Sequence, residues 1–227
     1  MNEKTVILVT GGCGFIGSHV AGRLLRDGHE VVIVDDLSTG TLDNLPEGTT
    51  FYCGSIADRI FLERVFSRHT IGAVIHEAAR INTSIESERP PVDVRISIDG
   101  TINLMETALA AGVGKFLYAS SVAVYGRPVS LPATEDTKLA PIYSYGIAKM
   151  CAEAYVRFYG AVHGLDHHIL RYGNVYGPRQ PIYGEVGVIA IFTQRVVRGE
   201  PLIVFGDGMH QRDFVFVDDA VDATVRL

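Results

Sequence analysis

The sequence predicts an α/β protein built on a doubly wound parallel sheet, and three observations carry this prediction. Short apolar runs alternate with amphipathic segments along all 227 residues, which is the order in which βαβ units build a parallel sheet. The first run, VILV, leads directly into a glycine-rich turn and a helix. The second run, VVIV, closes on Asp35. Both runs are continuously apolar, which is typical of parallel strands buried on two faces.

The turn after the first strand, TGGCGFIGSH, has the spacing of a dinucleotide site. Gly11, Gly14 and Gly17 suit a tight turn, close approach of phosphates to the backbone, and close packing of helix on strand. The helix then begins with N–H groups directed at an anion. A glycine triplet alone also marks ordinary turns, but Asp35 follows about twenty residues later, where a ribose diol is held. The sequence therefore predicts a Rossmann-type fold that binds a dinucleotide.

The loop after Asp35 indicates which dinucleotide binds. This segment, DLSTGTLDNLPEG, contains no lysine or arginine. A 2′-phosphate requires a basic neighbour, and the Asp35 carboxylate would repel it. We therefore expect NAD rather than NADP.

Composition excludes several other classes of protein. The net charge of −6 argues against nucleic acid or an anionic membrane surface as a partner. The cysteines, Cys13, Cys53 and Cys151, are isolated and lack metal-ligand spacing, which predicts reduced thiols and no metal site. No signal peptide precedes the first strand, and no apolar run reaches membrane-spanning length. We expect no membrane association and a cytoplasmic location.

The following segments continue the alternation of strands and helices. TTFYCG is the predicted third strand, IADRIFLERVFSRH a helix, and AVIHEAA the fourth strand. Ala78 and Ala79 leave room for a flat ligand, and His76 is interpreted as a packed core residue. The segment ISIDGTINLMETALAAG predicts a long helix that ends near Gly112, and GKFLYASS predicts the fifth strand.

Polar side chains lie at the end of the fifth strand and in the helix predicted after it. Ser120 and Ser121 end it at the carboxyl edge of the sheet, where open α/β folds bind ligands. In PIYSYGIAK, a helix that starts near Tyr143 places Tyr145 and Lys149 one turn apart on the same face. Serines also simply end strands, and a Tyr–Lys pair is often a solvated helix face. Their shared position favours a proton-transfer site.

The remaining segments predict further strands and one helix. DHHILRYGNVYGPRQ is a predicted sixth strand that runs into a loop, and GVIAIFTQRVVRG is an amphipathic helix. PLIVFGDG predicts a strand and turn, and QRDFVFVDDA predicts another strand with Arg212 at its start.

Five motifs resemble one family, the extended short-chain dehydrogenase/reductases, and most closely its UDP-glucose 4-epimerase group. They are TGGCGFIGSH, SSVAVYG, YGIAK, RYGNVYGPRQ and FGDGMHQRDFVFVDD, which resemble the cofactor loop, serine segment, Tyr-x-x-x-Lys signature, substrate-loop entry and nucleotide-phosphate segment. The resemblance implies NAD as a resident cofactor, a UDP-sugar substrate, and a homodimer that pairs the helices Val92 to Ala111 and Tyr143 to His163.

The resemblance also implies roles for individual residues. Ser121, Tyr145 and Lys149 would be catalytic. Ser121, Asn174 and Arg212 would contact the substrate, with Arg212 on its diphosphate. Together with Tyr145 and Lys149, the implied cofactor-binding residues are Gly11, Gly14, Phe15, Ile16, Gly17, Asp35, Asp36, Ser55, Ile56, Ala78, Ala79 and Tyr172.

Three features depart from the family's pattern. Ser55 stands where the family often has an aspartate that reaches the adenine, and Ser97 where it usually has an asparagine. We expect weaker adenine selection and a rearranged proton path near Lys149. The sequence ends at Leu227, whereas family members continue through most of a C-terminal substrate lobe. We therefore expect an NAD-binding domain over 1–172, a small, truncated nucleotide-sugar region over 173–227, and weak binding of UDP-sugars.

The implied reaction is epimerisation at C4 of the sugar, through transient oxidation to a 4-ketose. Tyr145 would be the base, and lowering its pKa from about 10 to about 7 requires roughly 4 kcal/mol. A lysine about 4 Å away, at an effective dielectric near 20, supplies roughly that energy. Two alternatives stay open. Nucleotide-sugar 4,6-dehydratases and decarboxylases need a further acidic group, which SVAVYG lacks, and a truncated NAD-binding protein would have no turnover.

Overall fold

The strands form the predicted doubly wound sheet. The computed structural model describes residues 5–80, 94–128, 130–181 and 187–227. Among these lie the parallel strands Val6–Thr10 (β1), Glu30–Asp35 (β2), Thr50–Cys53 (β3), Ile71–His76 (β4), Lys115–Ser121 (β5) and His167–Tyr172 (β6). Their order in the sheet is β3-β2-β1-β4-β5-β6. The order reverses between β1 and β4, which is where such sheets bind ligands.

Helices cover both faces of this sheet. They are Phe15–Arg26 (α1), Arg59–Phe66 (α2), Gly100–Ala110 (α3), Ser144–His163 (α4), Val188–Val197 (α5) and Val217–Val225 (α6). A π-helical turn, Arg95–Asp99, precedes α3, and the first two residues of the helix predicted from Val92 lie outside the described ranges. Of the helices described, none is long and apolar enough to span a bilayer.

The sheet separates two apolar cores. Leu8 and Phe116 pack on the side of α2, α3 and α4. Ile7 and Val9 pack on the opposite side, with α1 and α6. Because successive residues of β1 enter different cores, the strand is apolar throughout rather than alternating.

The prediction of a strand in PLIVFGDG is wrong. Residues 201–205 are not in a strand, and the side chains of Leu202, Ile203, Val204 and Phe205 are exposed. A strand requires a neighbouring edge to pair its N–H and C=O groups, and no described residues pair with this segment. An apolar run without such an edge does not become a strand.

The loop predicted after β6 contains a strand as well. Asn174–Tyr176 (β7) pairs in parallel with Phe214–Phe216 (β8) in a separate two-stranded sheet. Arg212 therefore precedes its strand by two residues instead of starting it. Strands of three residues are too short for sequence periodicity to reveal them.

Candidate active site

The glycines after β1 form a cradle that excludes side chains. Gly11 has φ +71°, and a Cβ atom there would lie 2.7 Å from the backbone nitrogen of Ala78. A Cβ on Gly17 would lie 2.2 Å from the carbonyl oxygen of Gly11. Gly14 precedes α1 without a side-chain capping bond, so no capping side chain occupies the first N–H groups of α1. These groups and the bare backbone fit the diphosphate of a dinucleotide.

The cradle gives a first testable prediction. Gly17→Ala is expected to destabilise the fold by about 1–3 kcal/mol and to weaken NAD binding, because its Cβ meets backbone that cannot move aside. Gly22→Ala is the matched control within α1, since its Cβ meets nothing closer than Arg26 Nη1 at 3.7 Å. A helical Gly→Ala change without a clash stabilises by about 0.5–1 kcal/mol. Denaturant unfolding and NAD titration of both variants test this, and equal stabilities would contradict it.

Asp35 braces the turn from the end of β2. Its Oδ2 accepts a hydrogen bond from the Cys13 backbone N–H at 2.9 Å, and its Oδ1 accepts one from Leu37 at 2.8 Å. A carboxylate has about four acceptor positions, so two remain for the hydroxyls of a ribose. The sequence indicated the ribose position but not this second, structural use of the side chain.

The other expected cofactor residues lie near the same edge of the sheet. The Ala78 N–H donates to Thr10 Oγ1 at 3.2 Å, which fixes the start of the loop after β4. Ser55 Oγ accepts from the Ala57 N–H at 3.3 Å in the turn after β3. Phe15 and Ile16 begin α1, Asp36 and Ile56 follow β2 and β3, and Ala79 follows Ala78.

His76 is a packed core residue, as expected. Its imidazole is fully buried and is bonded to Thr10 Oγ1 at 2.7 Å and to Thr101 Oγ1 at 2.9 Å. Burial, with the nearby Lys149 charge, lowers the pKa of His76 to about 3. The ring is therefore neutral at physiological pH and packs as part of the core.

The fold brings Ser121, Tyr145 and Lys149 together. The side chain of Ser121, at the end of β5, hydrogen-bonds to that of Tyr145 on the first turn of α4. Lys149 Nζ lies 5.9 Å from the centroid of the Tyr145 ring and donates to the Ala119 carbonyl at 2.5 Å. Lys149 is only 2% exposed, so the pair is not a solvated helix face.

Lys149 does not lower the pKa of Tyr145 in the protein without NAD, contrary to the expectation from the sequence. Burial raises the pKa of Tyr145 to about 12, and the hydrogen bond to Ser121 offsets only part of that rise. Burial also lowers the pKa of Lys149 to about 8, although Glu77 and Glu153 oppose the change. The expectation from the sequence included the lysine charge but not the cost of desolvating both groups.

Glu77 is a site residue that the sequence analysis missed. It follows β4 directly, and its Oε1 lies within hydrogen-bond distance, 2.8 Å, of the Tyr172 hydroxyl oxygen. The Tyr172 hydroxyl also lies 2.6 Å from Thr224 Oγ1 on α6. Burial raises the pKa of Glu77 to about 7. Its position in the motif HEAA, at the carboxyl end of a central strand, was the available signal.

Glu153 and Arg171 were also missed, and they form a buried clamp behind the site. Arg171 donates from Nη2 to Glu153 Oε2 at 2.7 Å and from Nε to Oε1 at 2.9 Å. Ser120 Oγ donates to the same Oε1 at 2.6 Å, and Arg171 Nη1 donates to the Tyr125 hydroxyl at 2.8 Å. The spacing of Glu153 one turn beyond Lys149 was a visible signal.

The two expected substrate residues lie away from this cluster, at the small sheet. Asn174 is exposed on β7, and its Nδ2 donates to the Asp213 carbonyl at 3.1 Å. Arg212 is exposed just before β8 and donates to the Gln211 carbonyl. Pairing of β7 with β8 brings their two segments side by side.

Fold and site together define a Rossmann-type dinucleotide-binding protein with a Ser–Tyr–Lys cluster at the edge of its sheet. Over the described ranges, no group of His, Cys, Asp and Glu could hold a metal ion. The chain belongs to the NAD dependent epimerase/dehydratase family, whose model matches residues 7–227. NAD is therefore its cofactor, in agreement with the cradle and Asp35.

Known relatives match nearly the whole chain. It is 40% identical to the putative UDP-glucose 4-epimerase of Methanocaldococcus jannaschii, over 97% of this chain and 72% of that protein. The UDP-glucose 4-epimerase structure from Thermotoga maritima, with UDP-glucose, is 45% identical with a TM-score of 0.94, over 97% of this chain and 72% of that one. The Thermus thermophilus UDP-glucose 4-epimerase complex with NAD is 39% identical with a TM-score of 0.92, over 98% and 74%.

Proposed function

We propose that the protein is an NAD-dependent 4-epimerase of UDP-sugars of the UDP-glucose/UDP-galactose type. The observation that carries the proposal is the contact of Ser121 with Tyr145, one turn from the buried Lys149. The similarity to UDP-glucose 4-epimerases supports the same reaction class. UDP-galactose and UDP-glucose as substrates would connect the protein with galactose metabolism.

In this proposal Tyr145 takes the proton of the sugar 4-hydroxyl and later returns it. Ser121 donates a hydrogen bond to the reacting oxygen, which holds that oxygen against the Tyr145 hydroxyl. Lys149 favours the phenolate form of Tyr145 by its positive charge. Bound NAD supplies a hydride acceptor and a second positive charge near the phenolate.

The same proposal assigns binding roles to the cradle and the small sheet. Gly11, Gly14 and Gly17 hold the diphosphate of NAD, and Asp35 holds the adenosine ribose. Asn174 and Arg212 contact the UDP-sugar. A division into 1–172 for NAD and 173–227 for the nucleotide sugar remains part of this proposal.

A dehydratase or decarboxylase needs a second acid or base beside the serine. The turn after Ser121, Val122–Tyr125, carries no carboxylate, and the Tyr125 hydroxyl already accepts from Arg171. Glu77 is a carboxyl group near Tyr145, but its Oε1 is engaged by Tyr172. These contacts favour epimerisation over elimination.

Incubation of the NAD-loaded protein with UDP-galactose or UDP-glucose tests the proposal. We expect interconversion of the two sugars without net consumption of NAD. A 4-keto-6-deoxy product would instead support a dehydratase. No turnover of either sugar nucleotide would support an NAD-binding protein without catalytic activity.

Preference for NAD over NADP is a further prediction. Asp35 ends β2, Asp36 follows it, and residues 35–48 contain no basic side chain. Arg59 is paired with Glu63 at 3.1 Å and with Glu106 at 2.5 Å. Titration with both cofactors should give an affinity at least about 100-fold higher for NAD, or roughly 2.7 kcal/mol. Equal affinities would contradict the role of Asp35.

We also propose a cytoplasmic homodimer. The outer face of α4 exposes Ile147, Tyr155, Phe158 and Val162, a stripe that a second copy could cover. The free thiols of Cys13, Cys53 and Cys151 are compatible with a reducing compartment. Light scattering at micromolar concentration should give twice the mass of one chain, and Phe158→Glu should lower the measured mass to that of a single chain. A wild-type monomer would contradict the dimer.

A further inference from the structure

Glu77 connects three elements of the site through hydrogen bonds. In the sheet, β5 lies between β4 and β6, so the Glu77 side chain reaches past the end of β5 to the Tyr172 hydroxyl at 2.8 Å. Tyr172 in turn lies 2.6 Å from Thr224 Oγ1, and Thr224 donates to the Ala220 carbonyl at 2.7 Å. These contacts form a chain of hydrogen bonds, Glu77–Tyr172–Thr224, that runs from the end of β4 to the backbone of α6.

The protons available along this chain are limited in number. The Ala220 carbonyl can only accept, so it takes the single proton of Thr224. The single proton of Tyr172 can then serve either Glu77 or Thr224, but not both. If Glu77 were a carboxylate and took that proton, the 2.6 Å contact between the Tyr172 and Thr224 oxygens would hold no proton. Two acceptors at that separation repel each other.

A protonated Glu77 satisfies every contact. Its carboxyl O–H donates to Tyr172, Tyr172 donates to Thr224, and Thr224 donates to Ala220. Among the residues that the structure describes, the charged and titratable groups that face Glu77 from the packed elements are Tyr172 on β6 and Tyr145 and Lys149 on α4. An ionised Glu77 raises the pKa of Tyr145, and thus disfavours its phenolate.

We propose that Glu77 is a positioning residue that stays protonated as the first donor of the Glu77–Tyr172–Thr224 chain, and so keeps a second negative charge away from Tyr145. Its effect on turnover rests on the proposed epimerase function. The neutral carboxyl does not compete with the phenolate for the positive charge of Lys149, on which Glu153 also acts. Burial, which raises the pKa of Glu77 to about 7, is consistent with this role.

The proton chain is tested without any turnover by a remote variant, Thr224→Val. The valine side chain of this variant cannot accept, so the Tyr172 proton becomes free to stabilise a Glu77 carboxylate, and the pKa of Glu77 should fall by about one unit. Thr107→Val is the matched control, because Thr107 also donates to a carbonyl four residues earlier, at 2.7 Å on α3, but lies outside the chain. Carbon-13 NMR of labelled glutamate carboxyl groups, with the Glu77 signal assigned by its absence in Glu77→Gln, gives each midpoint.

In the wild type we expect Glu77 to stay protonated up to about pH 7, and Thr107→Val to leave its titration midpoint unchanged. A wild-type midpoint below about 5, close to that of a free glutamate, would overturn the proposal. So would an unchanged midpoint in Thr224→Val, since Tyr172 would then already donate to Glu77.

The effect on the site is read from the pH dependence of kcat/KM. Glu77→Gln keeps a neutral donor to Tyr172, so kcat should stay within about threefold and the acidic limb should move by less than about half a pH unit. Glu77→Leu removes the donor to Tyr172, so its kcat should fall below that of Glu77→Gln. A limb that moves down by about one pH unit in Glu77→Gln would show that Glu77 is charged beside Tyr145 and would overturn this role. Absence of turnover with every UDP-sugar would overturn the proposed function, while the NMR titration would still decide the proton chain.

Discussion

Tyr145→Phe is expected to lower kcat by about 10³-fold or more, because the variant loses the proposed base and keeps the ring. NAD binding should stay within about threefold of the wild type, since the glycine cradle and Asp35 are untouched. Isothermal titration with NAD and a UDP-galactose turnover assay give the two values. Ser121 would lose its contact with the Tyr145 hydroxyl but would still accept from the Ala123 N–H at 3.1 Å, so this adds little to a loss of that size.

Tyr155→Phe is the matched control for this change. Tyr155 lies on the same helix, α4, but its side chain is 42% exposed, whereas Lys149 is 2% exposed. Its loss of a hydroxyl should leave kcat unchanged. Activity of Tyr145→Phe within tenfold of the wild type would remove Tyr145 as the base.

The acidic limb of the pH profile of kcat/KM should also report the pKa of the base, Tyr145. Tyr145 acts as a phenolate, so activity should fall as the pH drops below the pKa of Tyr145 in the loaded enzyme. In the protein alone that pKa is about 12, because burial outweighs the bond to Ser121. Binding of NAD is expected to lower it, because the positive nicotinamide ring favours the phenolate.

The first part of the fold could be predicted because its signals are local. The VILV strand, the glycine spacing and the position of Asp35 each depend on near neighbours in the chain, and β1, α1 and β2 form as expected. The pairing of Tyr145 with Lys149 is local too, since four residues make one helical turn. Ser121 joins them because the carboxyl ends of parallel strands lie at one edge.

The missed features depend on partners that are distant in sequence. Residues 201–205 have strand composition, but without a paired edge they form no strand and their side chains stay exposed. Glu77 acquires its role only when β6 brings Tyr172 within 2.8 Å, 95 residues later in the chain. Desolvation of Tyr145 and Lys149 likewise follows from the packing of α4, which no spacing of charges in the sequence reveals.

Glu153→Gln is expected to destabilise the fold by about 3 kcal/mol, because it removes the charge that Arg171 is buried against. Glu153 is 1% exposed and receives bonds from Ser120 at 2.6 Å and from two nitrogens of Arg171, at 2.9 and 2.7 Å. Ser120 and Arg171 directly precede Ser121 and Tyr172, so kcat should fall by about tenfold or more as their geometry loosens. Glu63→Gln is the matched control on an exposed pair with Arg59, where the cost should stay below about 1 kcal/mol.

The pH dependence of this loss has a definite sign. Burial alone would raise the pKa of Glu153, but hydrogen bonds from Arg171 and Ser120 outweigh it and hold the pKa below its usual range. A carboxyl group with a lowered folded-state pKa contributes stability above its unfolded pKa of about 4.3, and loses it as the pH falls through the folded value. The difference in unfolding free energy between wild type and Glu153→Gln should therefore be constant from about pH 6 to 8 and shrink below about pH 4. Urea unfolding at a series of pH values measures it, and a difference that grows in acid would show that Glu153 is not the charged partner of Arg171.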